Sequence, residues 1–344
     1  MGVRNRMFVF TLIVTGLVSG TACSEDSAGK AADSDSASEA VVPGPDAGEV
    51  AGIDVPPVPG TFRFAILSDT HIIDEFYEGP EGSVLDTASI FGTTANLVAA
   101  RDALAALPDR PDFVLVAGDV FHNYPSTDPA FYDTHVTRID RAADLFRTFP
   151  MPVHPAWGNH DHDEPSIPRA LTQSLIREKF GVELYSSFDH EGWTVLLLDT
   201  QLGGTQTPGS PVYDSSLGSL GAEQLHWVAS ELARGRPTVV VLHYPLFLMA
   251  EQEDGEPGLP ALLRQHADTV RMVFSGHLHM WIEDTASGVP HLVMSSTRYD
   301  PDAYAVVEAD GASGEVRLLN RDCFTWLGFD TQPWDAVNGC VAAR

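Results

Sequence analysis

Asp112-Phe113-Val114-Leu115-Val116-Ala117-Gly118-Asp119 is an unbroken apolar run that stops on glycine and aspartate. Apolar residues that do not alternate with polar ones suit a strand covered on both faces, as in a largely parallel sheet flanked by other layers. The run Val239-Val240-Val241-Leu242 repeats the pattern and stops on His243. In α/β folds, ligand sites form at the carboxyl ends of such strands, so the residues after each run are where chemistry is expected.

Working outward from these two runs, strands are predicted at Phe62–Ser68, Asp112–Gly118, Val153–Trp157, Thr194–Asp199, Thr238–Leu242, Met272–Ser275, His291–Ser296, Ala303–Glu308 and Glu315–Leu319. Amphipathic stretches predict helices at Thr93–Leu107, Pro129–Phe149, Pro168–Phe180, Gly221–Arg234 and Leu259–Ala267. Strands alternate with helices early, and the later part is β-rich. Two sheets packed together with helices outside fit this count.

Five of the strands end on polar residues: Asp69-Thr70-His71, Gly118-Asp119, Gly158-Asn159-His160-Asp161, His243-Tyr244-Pro245 and Gly276-His277-Leu278-His279. Carboxylates, imidazoles and one amide are oxygen and nitrogen donors suited to Mn, Fe, Zn, Ni or Co. Asp69 with His71, and His277 with His279, lie two apart. In an extended segment that spacing puts both side chains of a pair on one face. Two cations ~4 Å apart need a carboxylate between them to offset their repulsion, and Asp119 is the candidate. Gly118, Gly158 and Gly276 each precede an expected ligand, where a tight turn favours a residue without Cβ.

These five segments, in this order, resemble the sequence blocks of calcineurin-like metallophosphoesterases. The resemblance implies a four-layer α/β/β/α sandwich of two mixed sheets flanked by helices. It implies two divalent or mixed-valence transition-metal ions, one held by Asp69, His71, Asp119 and His279, the other by Asp119, Asn159, His243 and His277. His160 resembles the histidine that contacts the substrate phosphate and protonates the leaving oxygen, with Asp161 orienting its ring. The implied activity is phosphomonoester or phosphodiester hydrolysis, with a metal-activated bridging water attacking phosphorus in line. A noncatalytic metal-binding surface lipoprotein that keeps the fold is the alternative.

His122 stands where the purple acid phosphatases carry a metal-binding tyrosine, so an iron–tyrosine bond is not expected. His122 and His162 read as loop histidines, with cleft-lining the alternative. Arg298 reads as a surface ion-pair residue, with a substrate-anion contact the alternative. The glycine- and proline-rich segment Gln201–Gly221 reads as a long loop bordering the cleft. Gly221-Ala222-Glu223-Gln224-Leu225-His226-Trp227 is similar to the corresponding region of bacterial cyclic-nucleotide phosphodiesterase-like members.

At the amino terminus, Arg4 and Arg6 precede an apolar run from Met7 to Val18 and the small residues Ser19 to Ala22, the order of an export signal over residues 1–22. The run is short of the ~20 apolar residues that span a bilayer. Thr21-Ala22-Cys23 resembles a bacterial lipoprotein box, so a lipid anchor at Cys23, facing periplasm or cell surface, is expected, with plain secretion the alternative. Residues 23–60 hold a single basic residue, Lys30, and no aromatic, and read as a disordered acidic tether. The folded body is expected over 61–320, with 321–344 an extension packed on it. Cys323 and Cys340 form an even pair in an oxidising compartment and are expected to bridge, with free thiols the alternative. The 344-residue chain carries a net charge of −28, which repels polynucleotide backbones, so the expected partner is a small phosphoester rather than bulk nucleic acid.

Overall fold

The computed structural model describes residues 60–79, 84–284, 286–321 and 324. The expected signal segment, Cys23, Cys323 and Cys340 lie outside the described residues, as does the expected tether apart from Gly60.

In chain order the elements are β1 (Thr61–Leu67), α1 (Val84–Ala105), β2 (Phe113–Ala117), α2 (Pro129–Thr134), α3 (Arg138–Arg147), β3 (Val153–Ala156), α4 (Asn159–His162), α5 (Arg169–Phe180), β4 (Ser186–His190) and β5 (Trp193–Leu197). They continue with α6 (Ala222–Leu232), β6 (Thr238–Val241), β7 (Gln252–Glu253), β8 (Glu256–Pro257), α7 (Leu259–Gln265), β9 (Val270–Ser275), β10 (Ile282–Asp284), β11 (His291–Val293), β12 (Tyr304–Asp310) and β13 (Glu315–Leu318).

Two mixed sheets form, in the orders β13-β12-β1-β2-β3 and β10-β11-β9-β6-β5-β4. Strands β1, β2 and β3 run parallel, as do β5, β6, β9 and β11. Side-chain alternation along each strand builds the layers. Phe64 and Ile66 of β1 face inward with Phe113, Leu115, Trp193, Val195, Val239, Val241 and Phe274, filling the space between the sheets. Ala65 and Leu67 face outward onto Leu97 and Leu104 of α1, Ile139 of α3 and Ile176 of α5. On the other side, Leu196 and Val240 pack under Leu225 and Val228 of α6 and Leu259 and Leu263 of α7. Helix, sheet, sheet and helix therefore follow in four layers. Burying each large apolar side chain contributes roughly 1.5–3 kcal/mol relative to leaving it exposed. Among the described residues, no helix is long and apolar enough to cross a membrane.

The single helix expected over Pro129–Phe149 is two. Asp140 accepts hydrogen bonds from the backbone N–H and hydroxyl of Thr137 at 2.8 and 3.0 Å, a cap that starts a new helix. Asp74 fixes the break by accepting from the Arg138 backbone N–H at 2.6 Å. Helix α1 starts nine residues before the expected Thr93. Strands β4 and β10 add antiparallel edges that the sequence reading did not contain. Of the extension, Phe324 stacks on Trp281 at 3.8 Å and joins the core between the sheets.

Candidate metal centre

The expected ligands converge from both sheets. After β1, Asp69 Oδ1 lies 3.1 Å from His279 Nε2, which follows β9, and His71 Nε2 lies 3.2 Å from the same nitrogen. After β2, Asp119 Oδ2 lies 3.7 Å from His71 Nε2 and 3.2 Å from His243 Nε2, which follows β6. After β3, Asn159 Oδ1 lies 3.1 Å from His243 Nε2 and 3.0 Å from His277 Nδ1. The side chains thus form two half-sites, one of Asp69, His71, Asp119 and His279, the other of Asp119, Asn159, His243 and His277. Asp119 Oδ2 joins them.

The local backbone differs from the extended segments expected. Asp69, His71, Asp119, His277 and His279 have φ values of 52°, 44°, 50°, 72° and 56°. Left-handed backbone at non-glycine positions costs of order 1–3 kcal/mol each and persists where its surroundings over-determine it. Here the Asp69 and His71 N–H groups donate to Gly118 O and Asp119 O at 3.0 and 2.9 Å. The His277 N–H donates to the Asp69 carboxylate at 3.2 Å. His277 and His279 consequently diverge, one to each half-site.

All three glycines are required by space, a Cβ at Gly276 standing 2.5 Å from Asp69 Oδ2 and 2.8 Å from Ala117 O. At Gly118, φ is 84° and a Cβ would stand 2.5 Å from His243 Nδ1. Gly158 is not at a strained turn, with φ of −111°. A Cβ there would collide with Asp119 Oδ1 and stand 2.6 Å from Asp119 N.

The electrostatics fit a cation. Asp69 and Asp119 are 0% and 1% exposed, and an ion buried this far needs a partner of opposite sign. Burial works against ionising Asp119, yet His243 and His160 hold its carboxyl well below the usual range. Burial likewise opposes protonation of His243, but Asp119 beside Nε2 pushes it up to about 9. Burial drives His71 well below the ordinary imidazole range, and His277 down to about 4. The carboxylates thus draw positive charge to this point, and a metal ion would supply it while leaving the imidazoles neutral. Asp69, His71, Asp119 and His279 offer one donor atom each, all within 4.8 Å of one another, a group able to hold a metal ion.

A sequence model of the calcineurin-like phosphoesterases matches residues 62–281. The chain belongs to the calcineurin-like phosphoesterase family. It is 27% identical over 263 residues to a probable cyclic nucleotide phosphodiesterase of Rhodococcus erythropolis, covering 72% of this chain and 76% of that one. It is 28% identical over 215 residues to the serine/threonine-protein phosphatase CPPED1 of Rattus norvegicus, covering 57% and 62%. A cAMP/cGMP dual specificity phosphodiesterase of Mycobacterium tuberculosis is 32% identical over 133 residues, 36% of this chain and 37% of that one.

In this calcineurin-like phosphoesterase, His160 stands against the first half-site. Its backbone N–H donates to Asp119 Oδ1 at 2.9 Å, and its ring meets that of His71 edge-on at 4.8 Å. Asp161 does not orient that ring, contrary to expectation. Its carboxylate accepts from the backbone N–H groups of Val120, Phe121 and Gly158 at 3.2, 3.1 and 2.8 Å, tying the β2 and β3 loops together. The atom at His160 Nδ1 is Asn123 Oδ1, 2.6 Å away. Asn123, a residue the sequence reading did not single out, has φ of 58°, a conformation asparagine adopts more readily than most residues.

His122 lies in the loop after β2. It is buried, with Nδ1 3.1 Å from His71 Nδ1. His162 is buried on Asp199 at 2.8 Å. Arg298 is buried rather than at the surface, with Nε donating to Ser89 Oγ at 2.9 Å. The Gln201–Gly221 loop is tied down by Thr205 to Ser219 at 2.5 Å and by Tyr244 OH to Ser215 O at 2.9 Å. The Tyr244 ring stacks on His277 at 4.1 Å, so the loop borders the cluster of expected ligands through Tyr244.

Proposed function

We propose that this chain is a metal-dependent phosphoester hydrolase with a dinuclear centre. The observation that carries the reading is the pair of half-sites sharing Asp119 Oδ2, with carboxylate and imidazole donors on each side. Asp69, His71, Asp119 and His279 would hold one ion, and Asp119, Asn159, His243 and His277 the other. Bound metal would polarise the phosphoryl oxygens, lower the pKa of an attacking water and stabilise charge on the oxygens in line with phosphorus.

The protein's own groups do the rest. His160, its Nδ1–H donated to Asn123 Oδ1, presents the other ring nitrogen as the group that hands a proton to the leaving oxygen. Asp161 holds the loops carrying Asp119 and His160 in register through backbone N–H bonds. The net charge of −28 favours small phosphoesters over polynucleotides. The cyclic nucleotide phosphodiesterases among its relatives make small diesters the first class to test. Arg4, Arg6, the apolar run after them and Cys23 support an enzyme working outside the cytoplasm on a lipid anchor.

The test is hydrolysis of bis-p-nitrophenyl phosphate and p-nitrophenyl phosphate by metal-stripped protein before and after adding Mn²⁺. Metal-dependent turnover is expected, and the ratio of the two rates ranks diester against monoester. A folded protein that binds two metals yet turns over neither ester with Mn²⁺, Zn²⁺, Ni²⁺ or Fe²⁺ would favour the noncatalytic binding module.

A further inference from the structure

A histidine that ligates metal through one ring nitrogen commonly donates the other N–H to a fixed acceptor, which sets its tautomer and the direction of its lone pair. His243 follows this pattern: Nε2 faces Asp119 and Asn159, and Nδ1 lies 2.8 Å from Ala117 O, a backbone carbonyl. His71 has the same polarity, with Nε2 toward Asp119 at 3.7 Å and Asp69 at 3.9 Å. Its outer nitrogen, Nδ1, faces a second imidazole instead of a backbone carbonyl. It meets His122 Nδ1 at 3.1 Å.

We propose that His122 is the hydrogen-bond acceptor that orients His71, a positioning residue for the half-site of Asp69, His71, Asp119 and His279. The inference rests on the reading of that half-site as a metal centre. In this arrangement His71 carries its proton on Nδ1 and donates it to an unprotonated His122 Nδ1, so His122 carries its own proton on Nε2.

The backbone clamps the two residues side by side. His71 N–H donates to Asp119 O at 2.9 Å, Ile72 N–H to Val120 O at 3.1 Å, and His122 N–H to Ile72 O at 3.0 Å, a short parallel ladder beyond the ends of β1 and β2. The buried Arg138, itself paired with Asp74, donates to His122 O. The His122 ring also stacks on that of His160 at 4.6 Å with 23° between planes. One side chain thus braces both a ligand and the proposed proton donor.

The rival assignment is an ion held directly by His71, His122 and His160, whose nitrogens also lie within 4.8 Å of one another. That group contains no carboxylate to balance a buried cation, whereas His71 Nε2 faces two.

The test uses the full chain, with affinities for Zn²⁺ read by competition with a chromophoric chelator. His122→Leu is expected to weaken one of the two zinc sites by roughly 10- to 100-fold and leave the other within a few-fold, and His122→Gln, whose amide oxygen can accept, to recover most of the loss. A His122→Leu protein that binds both ions as the wild type does would overturn the proposal. Wild-type protein that binds no zinc would instead remove the metal-centre reading beneath it.

Long-range ¹H–¹⁵N spectra of the zinc-loaded wild type decide the matter even if the leucine variant fails to fold. Nε2–H on His122 with a bare, hydrogen-bonded Nδ1 is expected. A protonated His122 Nδ1, or a zinc-shifted nitrogen on His122, would contradict the assignment.

Discussion

Removing the Asp74 carboxylate is expected to destabilise the fold far more than an ordinary surface change, because its partner cannot reach water. The Arg138 and Asp74 side chains are 4% and 0% exposed. Asp74 accepts from Arg138 Nε at 3.1 Å, Nη2 at 2.8 Å and backbone N at 2.6 Å, and also from Phe76 N at 3.0 Å. Asp74→Ala leaves a buried guanidinium without its anion and the Arg138 backbone N–H at the start of α3 without its acceptor. Breaking a buried pair on one side costs ~3–5 kcal/mol. With a urea m-value of ~2–3 kcal/mol/M, the unfolding midpoint should fall by ~1–2.5 M. The double change Asp74→Leu with Arg138→Met removes both charges and should recover most of that loss. Urea titration followed by circular dichroism reads all three proteins. A single variant losing less than ~1 kcal/mol would mean that Arg138 finds water, and the reasoning from burial would be wrong.

Three further outcomes follow from named contacts. Gly158→Ala has an ordinary φ, so its effect comes from the Cβ meeting Asp119; metal content and turnover should both fall, and an alanine variant with full metal occupancy would contradict the close approach. His160→Ala should keep both metals and lose ~10²–10⁴ in kcat, most with poor leaving groups, whereas loss of metal would make His160 a ligand. His291 is buried between Ser275 and Asp284, and burial, opposed by Asp284, brings it down to about 4. The unfolded ring takes its proton first, so the stabilisation is present above pH ~6.5 and is lost as pH falls toward 4, by up to ~3 kcal/mol. His291→Asn should flatten the stability profile in that window, and an unchanged slope in urea titrations would show that His291 is not its source.

The features legible in the sequence are those where a local pattern and a buried position coincide. The apolar runs of β2 and β6 are unalternating because both faces are covered, and their polar endings are short enough to read as one convergent set. The edge strands escaped because Ser186-Ser187-Phe188-Asp189-His190 and Ile282-Glu283-Asp284 are partly solvated and look like loops. The break between α2 and α3 depends on Asp74, 64 residues before Arg138, and no helical periodicity contains it. The exchange of Asp161 for Asn123 at His160 has a similar origin. Asp161 is claimed by backbone N–H groups about 40 residues earlier in the chain, a contact that exists only once β2 and β3 are side by side. Sequence spacing suggested extended ligand pairs. The left-handed backbone at Asp69, His71 and His277 is held by hydrogen bonds between loops, which spacing alone does not encode.

The proposed enzyme depends on Asp119 joining two metal sites that together hydrolyse phosphoesters. Its most direct test is metal stoichiometry and bis-p-nitrophenyl phosphate turnover of wild type and Asp119→Asn, each stripped and reloaded with Mn²⁺. Two ions per wild-type chain with turnover that depends on them are expected, and fewer than two ions with nearly abolished turnover in the variant. An Asp119→Asn protein that binds two ions and hydrolyses the ester at the wild-type rate would contradict it.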